Sequence, residues 1–74
     1  MAMDQSIHKR YHTLTDLITK GENYGYDTQM LIEKCEEASS NYLKSVSCDQ
    51  YCKEDELDYM INILREYIGK DEHK

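Results

Sequence analysis

An all-α fold, a small antiparallel bundle of three helices, is predicted by three features of the 74-residue chain. It contains no proline and only three glycines, so little in it breaks a helix. Apolar residues recur at three- and four-residue spacings in three separate segments, the period of an amphipathic helix. The stretches between those segments are short, which makes successive helices alternate in direction. A chain of this length forms one domain (1–74) with a thin core, burying about 60% of the surface that its unfolded form exposes. With no Phe or Trp, that core draws on Leu, Ile, Met, Val and some of the seven tyrosine rings. Self-association or a partner would add buried surface to so small a domain.

The first helix spans about residues 6–20. Ile7, Tyr11, Leu14 and Ile18 form its stripe, Leu17 widens it, and His8 and His12 make a polar shoulder beside it. Asp4 or Ser6 can cap its start, and Gly21 stands where a left-handed residue would end it. The segment "GENYGY" is the clearest loop. Asp27 has the place of an N-cap for the second helix, about residues 28–45. Tyr26 and Leu31 have the spacing of a hydrophobic staple around that cap. Leu31, Cys35, Ala38, Tyr42 and Val46 share one face, so Cys35 reads as a small buried apolar residue. The third helix covers about residues 53–68, with Leu57, Met60, Ile61, Leu64 and Ile68 as its core line. Gly69 is expected to terminate it, leaving a frayed tail at 69–74.

The formal charge of −6 is spread unevenly: +1 over residues 1–20, −3 over 21–46 and −4 over 47–74. Phosphate contacts need clustered Lys and Arg, so direct nucleic-acid binding is not expected, and a charged partner should be basic. No apolar run reaches the roughly 20 residues that span a bilayer, and no signal-peptide core is seen. Three cysteines without secreted-scaffold spacing fit a reducing compartment, so the cytoplasm is the expected location. No cofactor motif is recognised: there is no glycine-rich phosphate loop and no nucleophile elbow.

"CDQYCKEDELDYMIN", residues 48–62, carries the densest chemistry. Glu54, Asp55 and Glu56 suit the first turn of the third helix, where the helix dipole favours acids. Ser47 and Gln50 have capping-box spacing. On one continuous helix Cys48 and Cys52 would lie about 180° and 220° from Leu57. They are therefore solvent-facing, or residues 47–52 form a separate turn that brings Tyr51 inward. Alternatively His8, His12, Cys48 and Cys52, two pairs at four-residue spacing on neighbouring bundle ends, could form a His2Cys2 zinc site.

"ELDYMIN", Glu56 to Asn62, resembles the signature helix of small aspartyl-phosphate phosphatases of sporulating bacteria, the sporulation stage-zero E family. Glu56, Leu57, Asp58, Ile61 and Asn62 match it, whereas the Ser and Gln that precede the motif are Glu54 and Asp55 here. The resemblance covers seven residues. It implies a helical hairpin that binds a phosphorylated receiver domain, with Asp58 as the functional acid.

The third helix also bears a second line, Tyr59, Ile63 and Tyr67, rimmed by Asp55, Asn62 and Glu66. Aromatic and apolar side chains inside a charged rim are the make-up of interface centres. With the loop residues Tyr24 and Tyr26 they are the expected partner-binding surface. The favoured reading is a non-enzymatic regulator or inhibitor that binds a basic protein partner. The alternatives are the phosphatase, a zinc-stabilised module, and an acidic nucleic-acid mimic.

Overall fold

The computed structural model describes the backbone of residues 5–72 and the side chains of residues 5–69. Three α-helices, α1 (Gln5–Asn23), α2 (Thr28–Ser45) and α3 (Lys53–Glu72), form the bundle, with a 3-10 turn at Cys48–Gln50 between the last two. The Gly21 Cα lies against Leu31 and Ile68, and Arg10 lies against Asp58. Thus α1 and α3 run in the same direction, and α2 runs opposite to both. Leu14, Leu31, Cys35, Leu57, Ile61, Leu64 and Ile68 make one buried cluster, with Ile7, Leu17, Ile18, Tyr26, Met60 and Tyr67 packed around it. The line expected on α3 faces this cluster, and on α2 Leu31, Cys35, Ala38 and Tyr42 are buried as expected, whereas Val46 is the half-buried C-cap beyond the helix. α3 lies across both other helices, and α1 and α2 touch each other least.

Two helix ends differ from the expectation. α1 runs through Gly21, which is buried inside the helix rather than ending it. The left-handed residue is Gly25, at φ 96°. Tyr26 N–H donates to the Gly21 carbonyl and Gly25 N–H to the Glu22 carbonyl, both at 3.0 Å, so "GENYGY" closes α1 with a Schellman motif. Gly21 serves close packing instead. A Cβ there would stand 2.9 Å and 3.0 Å from the Leu31 methyls and 3.3 Å from that of Ile68. Gly69 likewise does not terminate α3, which continues to Glu72. The expected frayed tail is thus helical as far as residue 72, and residues 73–74 lie outside the described part. At the other end of α1, Ser6 is inside the helix, its hydroxyl and carbonyl accepting from Arg10. Asp4 lies outside the described residues.

The α2 boundaries agree with the expectation. Asp27 caps the helix, its carboxylate accepting the Gln29 N–H at 3.1 Å, and Tyr26 packs on the cluster that contains Leu31. Beyond Val46 the separate turn forms. Gln50 N–H donates to the Ser47 carbonyl, but the Ser47 side chain makes no capping bond.

Candidate functional site

One of the three acids in the first turn of α3, Glu56, is structural. Glu56, 6% exposed, accepts from the Ser39 hydroxyl of α2, from the Tyr51 hydroxyl at 2.5 Å and from the Lys53 ammonium at 3.4 Å. Burial pushes its carboxyl up, but the hydrogen bonds from Ser39 and Tyr51, with Lys53, outweigh it and hold the group below its ordinary value. Tyr51 stays largely exposed, with its ring edge toward Tyr42, while Tyr42 Oη accepts the Cys52 N–H. This network fixes the 3-10 turn on the bundle and aims α3.

Asp58, the acid singled out by the resemblance, receives Arg10 of α1 through two hydrogen bonds of 2.8 Å and 3.3 Å. Glu54 adds a longer contact to the same guanidinium. The carboxylate therefore joins α1 to α3 at their beginnings. Arg10 also explains the placement of the histidines. His8 and His12 flank it at two residues on either side, about 200° around the helix, so they point away from α3. Both are exposed, and His12 pairs with Asp16 at 3.2 Å. Cys48 is exposed, Cys52 half-buried, and each is a free thiol. Among the described residues no three His, Cys, Asp or Glu side chains gather as a metal site, so the four candidate ligands are not brought together.

The second line of α3 is partly covered. Tyr59, Ile63 and Tyr67 are half-buried. Tyr59 meets Tyr42 edge-on at 6.2 Å, and the Tyr67 ring lies 4.9 Å from Tyr26 with the Lys34 ammonium over it. Tyr26 also donates its hydroxyl to the Tyr67 carbonyl. These rings widen the face that α3 turns toward α2, because a helix spanning two neighbours needs a broad apolar arc. The line is therefore not the freely exposed one expected from sequence. Glu66 and Tyr24 are exposed, with Lys20 over the Tyr24 ring.

The open apolar surface lies elsewhere, between α1 and α2. Because these helices are splayed above α3, a groove of about 540 Å³ runs between them. Its α1 wall is Tyr11, Leu14, Thr15 and Ile18, its α2 wall Ile32, Ser39, Ser40 and Leu43, and Met60 and Cys35 lie deeper. Leu43 is 52% exposed, Tyr11 46% and Ile32 39%. Tyr11, expected in the core, is thus a groove residue, with the Lys53 ammonium 5.8 Å from its ring centre. Burial, helped by Glu36, pushes the Cys35 thiol up and disfavours the thiolate, and the side chain lines the groove as a small apolar group. Glu36 is the one charged side chain among the lining residues.

Sequence reasoning missed this site, although a signal was present. Ile32 and Leu43 are eleven residues apart, three helical turns, and neither belongs to the core line of α2. No protein-family model, no curated protein and no solved structure matches the chain.

Proposed function

We propose that the protein is a non-enzymatic regulator that acts by holding another protein, and that the partner lays one amphipathic helix in the α1–α2 groove. The carrying observation is the row of exposed Tyr11, Ile32 and Leu43 over an apolar floor. A helix placed there covers the two helices that touch each other least and becomes the fourth member of a bundle on α3. A partner is favoured over a second copy by charge. Two chains of −6 repel one another, whereas a basic helix is attracted. The proposed location remains the cytoplasm, on the odd number of cysteines. Among the described residues no helix is long and apolar enough to cross a membrane.

The test is an Ile32→Asp, Leu43→Asp double variant of the full chain. Both side chains are exposed, so the variant should keep its helical circular dichroism and melt within a few degrees of wild type. Calorimetric titration with a synthetic leucine-striped helical peptide should give heat with wild type and none with the variant. Equal binding by both proteins would remove the groove as the docking site.

A further inference from the structure

Resting on that docking reading, we infer that the groove selects a helix of about four turns whose apolar anchors are accompanied by Lys or Arg at the end nearest the α1–α2 connection. The length comes from the track that α2 presents. A second hollow, of about 250 Å³ and lined by Leu43, Val46, Ser47, Cys48 and Tyr51, continues the groove, and Leu43 lines both. From Ile32 to Val46 is fourteen residues, about 21 Å along a helix axis. A partner helix of that length places anchors at i, i+4, i+7 and i+11 and has room for one more in the second hollow.

The charge preference comes from the groove's two ends. Glu36 lines the groove, exposed Glu33 lies three residues before it, and exposed Glu22 follows Ile18 by one turn of α1. These acids cluster toward the connection. Among the described residues Glu33 accepts from Gln29 and Glu22 from the Thr28 hydroxyl, both neutral donors. At the opposite end the charges are mixed: Lys44 follows Leu43, exposed Asp49 lies in the turn beside the second hollow, and Lys53 is paired with Glu56. The groove is therefore electrostatically polar along its length. A basic end on the incoming helix meets the acids, and the same helix reversed meets an end of mixed charge. Charges at such a rim act mainly on orientation and association rate, while the apolar anchors hold the complex.

Three 18-residue peptides with one leucine stripe, flanked at one end by Lys, Gln or Glu, separate the possibilities. Binding of each labelled peptide to the full-length protein is read by fluorescence anisotropy at low and high salt. The Lys peptide should bind roughly tenfold tighter than the Gln peptide at low salt, and the gap should close in concentrated salt. A Glu33→Lys, Glu36→Lys variant, with both changes at exposed positions, should reverse the order in favour of the Glu peptide. Equal binding of all three peptides, unchanged in the variant, would keep the docking site and overturn the charge selection. Failure of all three to bind would overturn the docking reading and this inference with it. Sedimentation of the free protein is expected to show a monomer. A dimer dissociated by Leu43→Asp would assign the groove to a second copy and overturn the inference as well.

Discussion

Replacing Gly21 and Gly69 separately by alanine should shift stability in opposite directions, although both glycines lie inside helices. In an exposed helix interior the exchange stabilises by roughly 0.8–1 kcal/mol, because alanine gives up less backbone freedom on folding. At Gly69 nothing stands within 4 Å of a new Cβ, so that gain should appear in full and raise the melting temperature by about 4–8 °C. At Gly21 the new methyl would come 2.9 Å from one Leu31 methyl and 3.0 Å from the other. Those methyls are chain ends, but Leu31 is fully buried and Ile68, at 3.3 Å, nearly so, leaving little room to yield. Overpacking of this kind costs about 1–3 kcal/mol, so Gly21→Ala should be net destabilising by roughly 0–2 kcal/mol. Adding Leu31→Val, which removes the colliding chain ends, should cost less in the Gly21→Ala background than in wild type. Urea and thermal unfolding followed by circular dichroism measure all four proteins. A stabilising Gly21→Ala would refute the close approach of α1 to α2 and α3. A destabilising Gly69→Ala would mean that α3 ends there with a left-handed residue.

Other substitutions test the remaining structure. Leu57→Ala or Leu64→Ala, at side chains with almost no exposure, should cost roughly 2–5 kcal/mol, whereas Glu33→Ala should barely change the melting temperature. Tyr59→Ala should destabilise the free monomer, since the ring packs on Tyr42; a variant that melts like wild type would return Tyr59 to the free surface. The Glu56 carboxyl is held below its ordinary value of about 4.5, so its ionised form stabilises the fold above that pH. That contribution should fade as the pH falls below about 4.5 and through the folded-state value. Urea unfolding from pH 7 to pH 3 should therefore show a gap between wild type and Glu56→Gln that narrows on acidification. A gap independent of pH would separate Glu56 ionisation from stability.

The limits of α2 were legible because Tyr26, Asp27 and Leu31 act locally, each through its own neighbours in the chain. The exchange of roles between Gly21 and Gly25 was not. A glycine that admits a neighbouring helix and a glycine that adopts positive φ look alike in sequence, and only the approach of Leu31 and Ile68 separates them. The same distance effect governs Glu56, which has the spacing of a first-turn acid but is drawn inward by Ser39, seventeen residues earlier. The helical periods of α2 and α3 named their core residues well. They could not show that α1 and α2 stand apart, and so left Ile32 and Leu43 without a role while assigning the half-covered Tyr59, Ile63 and Tyr67 to the surface.

Docking in the α1–α2 groove is tested most directly by nuclear magnetic resonance of the isotope-labelled full chain during titration with the Lys-flanked leucine peptide. The expected result is progressive, saturable shifts of the Leu14, Ile18, Ile32 and Leu43 methyl signals and the Tyr11 ring, with Tyr24 and Glu66 unmoved. Shifts centred instead on Tyr24, Glu66 and the outer edge of α3, with Ile32 and Leu43 unchanged, would contradict it.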